Sequence, residues 1–174
     1  MRHSVISSIV SLAALGSVLG TVTLAAGTAT SHDVESITTI ERQMAAAQNA
    51  DGVTRTWDDD VVWYDLNPEE LVGKKAAHDV TAQQFQAITN LKTKILRMTV
   101  KVEGTMGYAH SVQEFISDVK GGGPPLDFIF RETDIFIKKA GQWRLVHQHL
   151  SVPVDLATGK AVLTNQDTWR QDPK

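Results

Sequence analysis

The chain has 174 residues, 17 Lys and Arg against 20 Asp and Glu, a net charge of −3 and no cysteine. That length holds one domain and little more. The mild acidity excludes the basic stripe of a nucleic-acid surface, and the missing cysteine excludes both a disulfide frame and a thiol nucleophile.

Arg2 and His3 open the chain, and no charged residue follows until Asp33. Residues 5–26 are rich in Val, Leu, Ala, Ser and Gly, and Gly27-Thr28-Ala29 supplies the small residues that a signal peptidase reads. Residues 1–29 therefore read as a signal peptide, with an uncleaved membrane anchor as the rival reading because the run could span a bilayer. The mature chain would begin at Thr30 and be periplasmic or secreted, with no membrane association after cleavage.

Asp33 can cap a helix whose apolar Val34, Ile37, Ile40, Met44 and Ala47 follow helical spacing. Asn49 to Gly52 ends it, and residues 53–57 read as a short helical turn. Val61-Val62-Trp63-Tyr64 has the β-branched and aromatic content of a strand and runs into Asp65. Pro68, Glu69, Glu70 and Gly73 mark a loop, and residues 74–90 an amphipathic helix with Ala77, Val80, Phe85 and Ile88 on one side. From Leu96 the period becomes two, with Leu96, Met98, Val100 and Val102 alternating with polar residues. A turn at 104–107, a strand over 108–117, a glycine-proline tip at 121–125, a strand over 126–138, a tight turn and a strand over 143–152 complete the series. Residues 153–174 form a polar tail with an isolated Trp169. Helices first and four meandering antiparallel strands afterwards give the α+β class.

On the last strand Trp143, Leu145, His147, His149 and Ser151 share one face, and on the preceding strand Arg131, Thr133, Ile135 and Ile137 do. If both faces point inward, Arg131, Thr133, His147, His149 and Asp65 converge in one cavity, the usual form of a small-molecule site. In the catalytic reading, Asp65 or a histidine is the base and Arg131 stabilises developing negative charge. The same groups could equally bind without chemistry, or satisfy one another as a structural network. Trp63, Tyr108, His110, Thr133 and Trp143 are the expected ligand contacts. His147-x-His149 with Asp65 or His110 is a low-specificity metal pattern, and neither metal nor cofactor is expected. Asp58-Asp59-Asp60 reads as a solvated turn.

The segments Trp57-Asp58-Asp59-Asp60-Val61-Val62-Trp63-Tyr64-Asp65 and Trp143-Arg144-Leu145-Val146-His147-Gln148-His149 resemble the SnoaL-like branch of the nuclear transport factor 2 superfamily. Gly141-Gln142-Trp143 with the two histidines is also similar to the association domain of calcium/calmodulin-dependent protein kinase II. The resemblance implies a cone-shaped, curved antiparallel sheet packed on N-terminal helices over residues 30–152, with 153–174 as a tail. In ketosteroid isomerases of that superfamily a carboxylate at the end of the first strand is the general base, and Asp65 matches its position. The oxyanion tyrosine would fall at Gln43 or Met44 and is missing; the later aspartate would fall at Thr133 or Asp134. The expected function is an exported pocket protein for a small, partly apolar, cyclic or aromatic molecule. Its enzymatic form would be a cofactor-free isomerase, cyclase, dehydratase or lyase; the alternative is a non-catalytic binding or homo-oligomeric assembly module. A homodimer is expected because an open sheet leaves an edge or face unpaired.

Overall fold

The computed structural model describes residues 31–67 and 70–163. The signal-peptide segment, Pro68, Glu69 and Trp169 lie outside the described residues. Helix α1 spans Ser31–Ala45, α2 Ala50–Thr54, and strand β1 Trp57–Tyr64. A short β2, Glu70–Val72, follows where the sequence predicts only loop, and pairs antiparallel with β1. Then come α3 (Lys74–Ala87), β3 (Ile88–Glu103), β4 (Met106–Val119), β5 (Leu126–Lys139) and β6 (Gln142–Ser151). A terminal hairpin, β7 (Val154–Asp155) and β8 (Lys160–Ala161), stands apart from the main sheet.

The six-stranded sheet runs β2-β1-β6-β5-β4-β3. Strands β3 to β6 form the expected antiparallel meander, but β1 joins β6 in parallel, so the curved sheet is mixed. The α+β class with helices packed on the sheet stands as the sequence indicates.

Local chemistry fixes the boundaries. Asn49 caps α2, its side chain accepting from Gly52 N at 2.8 Å. Helix α3 stops at Ala87, three residues before the predicted end. Ile88 and Thr89 are already paired with Val119 and Asp118, and Asn90 has φ +57, a left-handed conformation that no helix interior contains. Asn90 Nδ2 donates to Asp118 Oδ2 at 2.7 Å and pins that turn.

Asp33 is buried in the first turn of α1 and ties the helix to the sheet. Its Oδ1 accepts from Lys138 Nζ at 2.6 Å and from Trp143 Nε1 at 3.0 Å. Asp58 is also no solvated turn residue: it is buried at the start of β1 and ion-paired with Lys139 at 2.8 Å.

One end of the domain is a solid core of Ile37, Trp57, Val61, Phe136, Trp143 and Leu145. There α1 crosses β4 closely at Gly107, where a Cβ would collide with Ile37 Cδ1. Gly107→Ala should therefore cost about 1–3 kcal/mol through overpacking. Thermal melting checks it; an unchanged midpoint would contradict the close crossing.

Candidate functional site

The other end of the domain is hollow. A cavity of about 470 Å³ opens between α1, α3 and the inner face of the sheet. That volume suits a small organic molecule. Aromatic walls come from Phe115 on β4 and from Phe128 and Phe130 on β5, with ring centroids 5.1 Å apart for Phe115–Phe128 and 6.1 Å for Phe128–Phe130. Phe85 from α3 and Trp63 from β1 complete the aromatic lining.

Among the described residues two ionisable groups line this space, and both are carboxyls: Asp65 and Glu132. Asp65 leaves the end of β1 and is half-buried. Its Oδ2 accepts from Gln84 Nε2 at 2.8 Å and from Asn67 Nδ2 at 2.9 Å. Its Oδ1 has no hydrogen-bond partner among the described residues. Among the described residues the carboxyl is thus held in place by one oxygen.

Along the inner face of β5 the side chains run Phe128, Phe130, Glu132, Asp134, Phe136, from cavity to core. The two acids mark the boundary, and α1 adds a third, Glu41. The carboxyl oxygens of Glu41, Glu132 and Asp134 lie within 4.8 Å of one another. Glu41 is 2 % exposed and Asp134 is 0 % exposed. Burial, outweighing the hydrogen bonds from Asp134 and Glu132, pushes Glu41 up to about 7. Burial first, then repulsion from the neighbouring acids, holds Glu132 and Asp134 well above the usual carboxylate range. Gln113 Nε2 donates to Glu132 Oε1 at 2.6 Å, and Gln148 Nε2 to Asp134 Oδ2 at 3.3 Å. Among the described residues this is the acid cluster with the spacing to grip an ion, while burial and mutual repulsion disfavour the ionised form that a metal ligand must take.

The structure brings Asp65 and Trp63 into the cavity and places the other predicted residues elsewhere. Arg131 and Thr133 are exposed on the outer face of β5, because Phe130, Glu132 and Asp134 take the inner one. Tyr108 and His110 are likewise exposed on the outer face of β4, stacked at 6.1 Å. Trp143 packs in the solid core rather than against the cavity.

The histidines are displaced by a bulge. Phe136 pairs with Leu145 but Ile135 pairs with His147, so Val146 is an extra residue on β6. The inward set therefore changes from Trp143 and Leu145 to Gln148 and Leu150. His147 and His149 move to the outer face, against the Tyr64 ring at 5.2 and 5.7 Å. His147 Nδ1 also lies 3.0 Å from Val62 O. Thus neither histidine shares a space with Asp65, and the expected convergence of Arg131, Thr133 and both histidines with Asp65 does not occur.

Sequence reasoning missed Glu41, Gln113, Glu132 and Gln148. For Glu132 the signal was slight: Phe128, Phe130 and Phe136 share its face, against Ile129, Ile135 and Ile137 on the other.

A nuclear transport factor 2-like protein of unknown function from Pseudomonas putida KT2440 has the same fold, with a TM-score of 0.68 and 21 % identity over 77 % of this chain and 96 % of that one. A ketosteroid isomerase-like protein from Erwinia carotovora atroseptica SCRI1043 gives a TM-score of 0.61 and 18 % identity over 70 % of this chain and 97 % of that one. An uncharacterised protein with a cystatin-like fold from Caulobacter vibrioides gives 0.61 and 14 %, over 71 % and 92 %. No curated protein matches the sequence. The family model described as SnoaL-like domain matches residues 34–155. With most of the described residues inside that match, and with the fold of a nuclear transport factor 2-like protein, the chain belongs to the SnoaL-like domain family.

Proposed function

We propose that the cavity binds a small, mostly apolar, ring-bearing molecule and that Asp65 accepts a proton from it. The observation that carries this reading is the geometry of Asp65, a cavity-lining carboxyl with Oδ2 fixed by two amide donors and Oδ1 unengaged among the described residues. A base must be positioned before its basicity matters, and an apolar enclosure strengthens its electrostatic effect on a bound molecule. An enzyme of this form would be a cofactor-free isomerase, cyclase, dehydratase or lyase. That one structural neighbour is a ketosteroid isomerase-like protein supports the same direction.

Binding can be tested with N-phenyl-1-naphthylamine, a neutral fluorophore that brightens in apolar surroundings. Saturable binding to the natural chain is expected. Thr93 lines the cavity without belonging to the core cluster, so Thr93→Trp should fill the space and abolish binding while the fold is kept. Equal binding by the variant, with native circular dichroism, would place the fluorophore elsewhere and defeat the proposal.

We also propose that the protein is exported, cleaved after Ala29, and pairs as a homodimer. N-terminal sequencing of material from the native host should begin at Thr30, and light scattering should give twice the chain mass. An intact Met1 in a membrane fraction, or monomer mass alone, would contradict the respective claim.

A further inference from the structure

We infer that the molecule held in this cavity carries a positively charged nitrogen on an apolar body, seated at Glu132 beside the phenylalanine rings. The inference rests on the reading of the cavity as a ligand site and names the ligand's charge.

Three observations carry it. First, no Lys, Arg or His lines the cavity among the described residues, while Asp65 and Glu132 do. An anionic ligand would meet only like charge and no counter-ion. Second, Glu132 stands against Glu41 and Asp134, with amide donors from Gln113 to Glu132 and from Gln148 to Asp134 and, among the described residues, no basic side chain paired with the three acids. Burial and mutual repulsion hold Glu132 and Asp134 above the usual carboxylate range. An arriving cation supplies the opposite charge that the cluster lacks, and opposite charge favours the ionised carboxyl. The proton that Glu132 gives up passes to solvent, or to the nitrogen itself if the ligand arrives as a neutral amine. Third, Phe128 and Phe130 precede Glu132 on the same face of β5, and Phe115 stacks on Phe128. Aromatic faces attract a desolvated cation, and enclosure increases that attraction.

The test compares three ligands of one skeleton and nearly one size, 4-phenylbutylamine, 4-phenylbutan-1-ol and 4-phenylbutanoate, by isothermal titration calorimetry on the natural chain. The amine should bind about tenfold or more tightly than the alcohol, and the butanoate more weakly than either. Glu132→Gln keeps the side-chain size and an acceptor for Gln113, and should bring the amine and alcohol within about threefold of each other. If the alcohol binds saturably and as tightly as the amine, or the butanoate binds best, the cavity reading survives and the cation inference fails. If none of the three binds, both fail. An amine preference that persists in Glu132→Gln overturns the assignment to Glu132. The comparison on the natural chain decides the ligand's charge even if the variant does not fold.

Discussion

Replacing Asp65 by asparagine should slow proton abstraction inside the cavity by about 10²–10⁴-fold, the usual contribution of a positioned general base. A suitable reporter is 5-nitrobenzisoxazole, a neutral aromatic molecule of a size the cavity accepts. One base removes its ring C–H proton, the freed electron pair forms the nitrile, and the N–O bond breaks to leave a coloured phenolate. No cofactor or second substrate is needed. The natural chain should accelerate this reaction over free acetate at matched concentration. In Asp65→Asn the side chain keeps its size, and its oxygen can still accept from Gln84 and Asn67, so the melting midpoint should move little. A variant as fast as the natural chain would remove Asp65 from any catalytic role. A large fall in melting temperature with rate unchanged in the folded fraction would make it a structural residue.

The second large effect concerns stability. Glu41 holds its proton to about pH 7 in the folded chain, against 4.5 for an unburied glutamate. An acid whose folded value is raised contributes its full stability below the unfolded value and loses it as pH climbs through the folded value. Between pH 4.5 and 7 the unfolded chain has released this proton while the folded chain retains it, so unfolding becomes progressively easier. The cost of keeping Glu41 protonated, or of ionising it while buried, reaches roughly 3 kcal/mol by pH 8. Glu132 and Asp134 act in the same direction, since burial and repulsion raise both. Glu41→Gln should remove this loss. The amide cannot ionise, and its N–H₂ can donate to the facing carboxyls of Asp134 and Glu132. The variant should match the natural chain near pH 4.5 and melt about 5–10 °C higher at pH 8. A natural chain that grows more stable from pH 5 to 8, or a variant that melts lower at pH 8, would contradict the account of the acid cluster.

How far these features can be read from sequence depends on whether their cause is local. The helix carrying Ile37 and Met44 and the alternation from Met98 to Val102 are set by side chains a few residues apart and appear as expected, whereas at Leu96 a register shift between Ile95 and Arg97 interrupts the predicted alternation. Asp65 was legible for a related reason: a strand of large apolar residues ending in one acid places that acid at a rim. The outward turn of His147 and His149 has a distant cause. It depends on Val146 bulging where β6 pairs with both β5 and β1, and nothing in the run from Trp143 to Ser151 announces that extra residue. Strand β2 exists because β1 offers an open edge, which three residues such as Glu70-Leu71-Val72 do not signal by themselves. Glu41 lies on a helix face whose neighbours Ile37 and Met44 are apolar, so its burial was open to inference. Its partners across the sheet were not, because they depend on which face of β5 turns inward.

The central claim is that the molecule's chemistry lies in the cavity between the helices and the inner sheet face. The most direct measurement is a crystal structure of the protein soaked with N-phenyl-1-naphthylamine. The expected result is ring density against Phe115, Phe128 and Phe130, bounded by Asp65 at one side and Glu132 at the other. Density on the outer face among Tyr64, His147 and His149, with the cavity unfilled, would contradict it.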